Sequence, residues 1–237
     1  MTEDEWHGCT EPLKMLEFLR GKVSSRKLRL FACTCCRSIW HLLAESNGRD
    51  AVELSEHYAD GVVGREELAK ARRNVANACT AHHDVLLEAI HAAKSCAAKY
   101  PFVAAREASL GAGHTVGLHH AITTLDAAEL EEREIYLREE LAGRQKEYVR
   151  QCQFLTDIFA NPFRPVAVDP SWLAWNDGTV VKLAQGIYDD RAFDRLPILA
   201  DAVEEAGCND PHILAHCREP GQHVRGCWAV DLLLGKE

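Results

Sequence analysis

Apolar side chains recur at helical spacing along most of this chain. The clearest example is the stretch from residue 25 to residue 45, placed on a helical wheel at about 100° per residue. One side of that wheel is apolar and carries Leu28, Phe31, Ala32, Cys35, Ile39, Leu42 and Leu43. The opposite side is polar and carries Lys27, Thr34, Arg37, Ser38, His41 and Glu45. The pattern predicts an amphipathic helix that is capped by Ser24 or Ser25 and runs to about Glu45.

The same periodicity predicts further helices in the first two thirds of the chain. An alanine-rich helix is expected from residue 65 to about 99, and the longest helix from residue 126 to 160. Small side chains permit close approach, so these two segments are expected to form an antiparallel hairpin. The segment 102–125 is less favourable, because each of its three glycines weakens a helix by about 1 kcal/mol relative to alanine. Shorter helices are expected at 12–21 and 50–60.

The pattern changes at "NPFRPVAVDP", residues 161–170, where three prolines in ten residues exclude a helix. A turn is expected at Asn176, Asp177 and Gly178. Four short helices should follow, at about 179–190, 194–206, 210–216 and 223–234. Their starts carry helix signals, with Asp194 and Asp210 as caps. Within the crossing, "FRPVAV" is the one plausible strand, and it would have no partner.

These elements predict an all-α fold. We expect a helical bundle with a long helical hairpin, a proline-rich crossing and a compact C-terminal unit of short helices. Residues 1–160 would form a helical domain whose alanine-rich part, 65–150, is the hairpin or spacer. Residues 161–237 would form a small helical unit, either separate or packed on the first as one domain.

Charge and composition narrow the class of partner. The net charge of −9 is unfavourable for broad nucleic-acid binding, which needs a basic face. The exception is the basic patch of residues 20–37, which contains no acidic residue and carries Arg20, Lys22, Arg26, Lys27, Arg29 and Arg37. Its counter-charge is expected within the chain, from the seven acidic residues of segment 126–140. The alternative is an acidic partner or a phosphate backbone.

No apolar run approaches the roughly 20 residues that cross a bilayer, so no membrane association is expected. The acidic N-terminus also lacks the apolar core of a signal peptide, and we therefore expect a cytoplasmic protein. Disulfides are rare in that compartment, so the ten cysteines are expected to be core atoms, metal ligands or reactive thiols.

Three of these cysteines lie in the helix predicted first. Cys35 and Cys36 fall within its apolar arc and Cys33 on its border, which indicates buried, reduced thiols that act as small hydrophobes. The alternative is a metal or redox role, since Cys33 and Cys36 are three residues apart and could converge. Two further ligands would then have to come from elsewhere in the fold.

The better metal candidate is C-terminal, in "HILAHCREPGQHVRGC". His212 and His216 are four residues apart, and so are His223 and Cys227 on the next expected helix. Two such pairs on a helical hairpin would supply four ligands for zinc, and Cys217 could replace one of them. The alternative is that the histidines are partly exposed while Cys227 packs in the core. No other cofactor is expected.

Aromatic residues near the crossing suggest either packing or recognition. Trp172 and Trp175 are three residues apart beside the turn. They either pack the crossing onto the helices or form a recognition surface with Arg164 and Arg225 at its rim.

No catalytic motif is present, neither a nucleophile elbow nor a phosphate-binding loop. The sequence therefore favours a non-catalytic interaction or scaffold module with a protein partner. A zinc-binding protein is the first alternative. An enzyme with a site between the hairpin and the C-terminal unit is the second.

Two long stretches resemble a known family. "MLEFLRGKVSSRKLRLFACTCCRSIWHLL" and the segment from "DIFANPFRPVAVDPSWLAWNDGTVVKLAQ" to "HVRGCWAVDLLLGKE" are similar to an uncharacterised planctomycete paralogous protein family. The likeness covers roughly residues 13–60 and 154–237, with an alanine-rich helical spacer between them. The resemblance implies no activity and supplies no catalytic residue. Similarity across many copies would suit an interaction or accessory module.

Overall fold

The structure is a computed structural model that describes residues 1–43, 47–77 and 84–236. Within those ranges the chain forms helices and irregular segments and no β-strand, which confirms the all-α fold. The segment "FRPVAV", the one plausible strand in the sequence, forms no strand there. The α-helices, in chain order, are α1 (Glu3–His7), α2 (Pro12–Leu19), α3 (Ser25–Ser38), α4 (Gly48–Ala59), α5 (Arg65–Asn77), α6 (Asp84–Cys96), α7 (Pro101–Thr124), α8 (Ala127–Glu131), α9 (Arg133–Phe159), α10 (Pro170–Ala174), α11 (Thr179–Asp190), α12 (Leu196–Glu205), α13 (Pro211–Arg218) and α14 (Trp228–Leu233).

The chain divides into two compact units, Met1–Gln153 and Phe154–Glu237, which we call unit 1 and unit 2. Three short 3₁₀ helices complete the described elements, at Trp40–Leu43, Trp175–Gly178 and Phe193–Arg195. The helix that we expected to reach Glu45 therefore ends as α3 at Ser38 and continues as a 3₁₀ turn, while Glu45 lies outside the described residues. Part of the expected alanine-rich helix, residues 78–83, also lies outside them.

Helix α3 occupies the core of unit 1. Every residue from Leu28 to Cys36 is buried, including Thr34, which the helical wheel assigned to the polar side. The wheel failed there because α3 packs against α4, α6 and α7, so that more than one of its faces is covered. The buried hydroxyl of Thr34 donates a hydrogen bond to the carbonyl of Leu30 in the same helix, at 2.9 Å.

The basic patch finds acidic partners inside unit 1. Arg26 pairs with Asp60 at 2.9 Å, and Arg37 pairs with Glu56 at 2.6 Å. These carboxylates lie at the C-terminal end of α4, whereas we expected them in segment 126–140. Both carboxylate side chains are only 4% exposed, so the pairing belongs to the packed interior.

Glycines allow α7 and α9 to approach each other closely. A Cβ atom on Gly117 would lie 2.6 Å from the backbone oxygen of Glu140, and one on Gly143 would lie 2.5 Å from the Cβ of His120. Farther toward the start of α7, Gly113 faces Tyr148. The contacts thus move toward the start of α9 as α7 proceeds to His120, which faces Gly143, and the pair is antiparallel. The glycines that reduce helix propensity in the sequence thus form the seam of a helical hairpin, and the partner of α9 along this seam is α7.

Unit 2 contains its own hydrophobic core, to which α10 to α14 contribute. The expected turn before α11 is present, with positive φ angles of 47° at Asn176, 56° at Asp177 and 77° at Gly178. Asn, Asp and Gly tolerate this left-handed region better than other residues. Asp210 caps α13 as expected, whereas Asp194 lies within a 3₁₀ turn that precedes α12.

The glycine seam can be tested by substitution. Gly117→Ala should lower the free energy of unfolding by about 1–3 kcal/mol, because the new methyl group meets the backbone of α9. Gly186→Ala is the matched control, since Gly186 lies in α11 with no atom within 4 Å of the added Cβ. That change should raise stability by about 0.5–1 kcal/mol. Urea unfolding followed by circular dichroism measures both, and equal effects would refute the close approach.

A buried carboxyl group in unit 1 gives a pH-dependent prediction. Glu147 is 3% exposed and accepts a hydrogen bond from Ser38 at 2.7 Å. Burial raises the pKa of this carboxyl above its ordinary value of 4.5. The folded state therefore keeps the proton at pH values where the unfolded chain has lost it, and the free energy of unfolding falls as the pH rises through this window.

Glu147→Gln removes the buried charge and keeps an acceptor for Ser38. Relative to the wild type, its melting temperature should therefore rise as the pH increases from about 4 to about 7. Thermal unfolding of both proteins across this range is the measurement. A difference in melting temperature that does not change with pH would show that Glu147 does not titrate in this window.

Candidate metal centre

Four potential metal ligands meet in unit 2. His216 lies in the last turn of α13, and His223 and Cys227 lie in the segment between α13 and α14. The fourth, Asp157, lies near the C-terminal end of α9. Their ligand atoms all lie within 4.8 Å of one another. Among the described residues, this is the group of His, Cys, Asp and Glu side chains that is arranged to hold a metal ion.

The contacts inside the group centre on one carboxylate oxygen and one imidazole nitrogen. Asp157 Oδ1 lies 2.7 Å from His223 Nδ1 and 3.3 Å from His216 Nε2. The same His216 nitrogen lies 3.2 Å from Cys227 Sγ. Donor atoms bound tetrahedrally to one zinc ion would be separated by about 3.3–3.7 Å, given Zn–N, Zn–O and Zn–S distances of about 2.0–2.3 Å. Small adjustments would therefore admit an ion.

The group is shielded from water. Cys227 is fully buried and Asp157 is 5% exposed, while the side chains of His216 and His223 are 19% and 11% exposed. Trp228 packs against His216, with ring centroids 4.9 Å apart. Electrostatic interactions among the four groups are therefore stronger than they would be in water.

Backbone groups outside the four ligands hold two of them in position. The amide N–H of Val224 donates to Asp157 Oδ2 at 2.9 Å, so Oδ1 is the oxygen that faces the other three side chains. The backbone of Glu219 also acts on His223 and raises the pKa of its imidazole, whose Nδ1 is directed at Asp157. Metal-binding histidines almost always donate their second ring N–H to a carboxylate, a backbone carbonyl or water.

The pKa shifts of the four side chains indicate that a bound cation would displace protons from this group. Burial alone would raise the pKa of Asp157, but hydrogen bonds from His216 and His223 outweigh it and lower that pKa. Burial alone would lower the pKa of His223, but its hydrogen bond to Asp157 outweighs burial and raises it. Burial, reinforced by the charge of Asp157, raises the pKa of the Cys227 thiol well above its ordinary value. A bound cation would reverse this effect on Cys227.

A cysteine–histidine–aspartate nucleophile is not supported by this geometry. In such a triad the histidine contacts the thiol with one ring nitrogen and the carboxylate with the other. Here His216 contacts both Cys227 and Asp157 through Nε2. The buried Cys227, whose pKa is raised, also lacks the exposure and thiolate character of a catalytic cysteine.

The structure brings together three of the four ligands that the sequence suggested and replaces the fourth. His216, His223 and Cys227 converge, whereas His212 is exposed in the first turn of α13 and lies outside the group. Cys217, the suggested substitute, is buried in the core of unit 2. The sequence analysis missed Asp157. Nothing in the local sequence of a long helix distinguishes an aspartate that faces a buried site from one that faces solvent.

The expected helix at 223–234 was wrong in its first half. Only Trp228–Leu233 is helical, and the preceding residues are irregular. Gly226 has a φ of 95°, which a helix does not permit. Thus His223 and Cys227 do not lie on one helical face as a four-residue pair. They converge because the irregular segment folds back on Asp157.

The proposed recognition surface is also corrected. Trp172 is 8% exposed and belongs to the core of unit 2, against which Trp175 is packed and partly buried. Arg225 lies over the ring of Tyr188, with its Cζ 4.5 Å from the centroid, and Arg164 is exposed. Because both tryptophans pack inward, they do not form an exposed aromatic surface with the two arginines at its rim.

No family model, curated protein or solved structure matches the chain. The resemblance to a planctomycete family therefore stays a prediction. None of the described helices combines the length and the apolar character that a membrane crossing needs.

Proposed function

We propose that this protein is a zinc-binding module in which Asp157, His216, His223 and Cys227 hold one structural Zn²⁺ ion. The observation that carries the proposal is the convergence of two imidazoles, a thiol and a carboxylate in a nearly dry pocket. Nitrogen and sulfur donors suit zinc, whereas calcium and magnesium require sets of oxygen ligands. The donor set therefore favours zinc over the hard divalent cations.

Four protein ligands favour a structural role over a catalytic one. A catalytic zinc ion keeps a coordination position for water or substrate, and a closed set of four protein ligands fills a tetrahedral shell. The expectation of a protein without catalysis is in keeping with this arrangement. The further expectation of a protein partner stays a prediction.

The structural task of the ion would be to fix the irregular segment between α13 and α14. Residues 220–226 of this segment form no helix and include Pro220 and two glycines. The segment carries two of the four ligands, while α13 and α9 carry the others. Binding the ion would therefore tie an otherwise weakly held segment to two helices, and the binding energy would add to the stability of unit 2.

Metal analysis of the full chain purified without a histidine tag tests the proposal. We expect about one equivalent of zinc per chain after purification at neutral pH, or on titration of the chelator-treated protein with Zn²⁺. Chelation should lower the melting temperature, and added Zn²⁺ should restore it. Less than a tenth of an equivalent under both conditions would refute the proposal.

Single substitutions identify the ligands. Asp157→Asn and Cys227→Ala should each weaken zinc binding by about 100-fold or more, measured by competition with a chromophoric chelator. His212→Ala is the matched control, because His212 lies on the same helix as His216 and outside the group. The control should bind zinc as the wild type does, and an equal loss in all three variants would contradict the assignment.

Cobalt provides a second readout that does not depend on affinity. Co²⁺ in the site should show the thiolate-to-cobalt charge-transfer band of a cysteine ligand together with the visible bands of tetrahedral geometry. Cys227→Ala should lose the first feature, and His212→Ala should keep both. If Cys227→Ala kept the charge-transfer band, the sulfur of Cys227 would not be a ligand.

A further inference from the structure

A cavity of about 420 Å³ lies in unit 1, apart from the metal centre proposed above. Residues of α5, α6 and α7 line it, and α6 packs against both of the other helices. The cavity shares no residue with the metal centre, which belongs to unit 2. Its volume lies within the range of pockets that hold small molecules.

Two of the helices each present one face to the cavity. On α6, the lining residues Glu88, His91 and Ser95 follow one another at intervals of three and four residues, which places them on one side of the helix. On α7, Glu107 and His114 are seven residues apart and therefore also share a side. The helical spacing in the sequence thus brings these polar side chains to one cavity.

A close contact between backbones holds α6 and α7 together beside the cavity. Gly111 of α7 is buried and belongs to the lining. A Cβ atom on Gly111 would lie 2.9 Å from the Cβ of Ala92, which is fully buried on α6. The polar side chains are therefore presented by two helices in direct contact, which is a firmer support for a binding site than a loop.

The lining is rich in hydrogen-bond donors. Arg72 contributes a guanidinium from α5, and Lys94 and Ser95 contribute an ammonium and a hydroxyl from α6. The imidazoles of His91 and His114 each offer at least one N–H. Within the described part of the chain, neither Arg72 nor Lys94 forms an ion pair with a carboxylate. Their charges are therefore available to a ligand.

Of the two carboxylates in the lining, one already has a cation. Glu107 accepts a hydrogen bond from Arg106 at 2.7 Å, whereas Glu88 has no such partner among the described residues. Arg72 and Lys94 thus outweigh Glu88, and the lining is positive although the whole chain has a net charge of −9. A complementary ligand is anionic, offers mostly acceptors and carries a donor for Glu88.

We propose that this cavity binds a small phosphate monoester whose organic part carries a hydroxyl group. Arginine binds phosphate oxygens in pairs and lysine binds them as a point charge. The donors come from three helices, and the three terminal oxygens of a phosphoryl group point in different directions, whereas a carboxylate has two oxygens in one plane. A phosphate dianion has no hydrogen to donate, so the organic hydroxyl is the group that would donate to Glu88.

Isothermal titration calorimetry of the full chain with glycerol 3-phosphate tests the proposal. The protein is treated with a chelator, so that no bound zinc ion attracts phosphate. We expect one site per chain with a Kd of about 1 mM or lower at low ionic strength. Sulfate and malonate should each bind at least about 10-fold more weakly. No saturable binding of glycerol 3-phosphate, or equal affinity for sulfate or malonate, would overturn the proposal.

Substitutions in the lining locate the site. Arg72→Ala and Lys94→Ala should each weaken the binding of glycerol 3-phosphate by about 10-fold or more, since each removes a charged donor. Arg73→Ala is the matched control, because Arg73 is the exposed neighbour of Arg72 on α5 and does not line the cavity. The control should bind as the wild type does. An equal loss in the Arg72 and Arg73 variants would show attraction to the general charge of α5 and refute the cavity as the site.

Glu88→Ala tests the role of the hydroxyl group. The wild type should prefer glycerol 3-phosphate over methyl phosphate, which has no hydroxyl, by about 10-fold, and the variant should lose this preference. The ratio of the two affinities is the readout, because removal of a negative charge strengthens the binding of both anions. A ratio that is unchanged in the variant would contradict the assignment of Glu88. The four altered side chains are exposed or half-buried, and circular dichroism should show that every variant keeps its helices.

Discussion

A single buried carboxylate organises the last part of unit 2. One oxygen of Asp157 contacts two imidazoles, and the other accepts the backbone N–H of Val224. The segment that it holds is not helical, and Gly226 turns the chain with a φ of 95°. The position of His223 and Cys227 therefore depends on a group that lies 66 residues before His223. Any function of the four-residue centre depends first on this carboxylate.

Local patterns were sufficient to predict the fold class. Helix starts at Ser24 and Asp210 carry caps that the sequence displays, and the left-handed turn at Asn176 uses residue types that tolerate it. These features are encoded within a few neighbouring residues. The burial of Thr34 and the close contact at Gly117 are different, because they depend on which helices come together. Periodicity describes one face of a helix and cannot show that a second face is covered.

In the candidate centre, too, some residues can be recognised from the local sequence, whereas another is brought in only by tertiary contact. The sequence supplied His216, His223 and Cys227 because ligand residue types lie close together there. It also supplied His212 by the four-residue rule, although that side chain is exposed. It could not supply Asp157, since tertiary contact alone separates a ligating aspartate from a solvated one. The rule also assumed a helix from residue 223, which the irregular segment replaces.

Trp228 lies close enough to the centre to have a further consequence. The centroid of its ring lies 4.9 Å from that of the His216 ring. A paramagnetic ion held by that imidazole would quench the fluorescence of an indole at this distance. Emission from Trp228 would thus report the entry of such an ion into the neighbouring pocket without an attached dye.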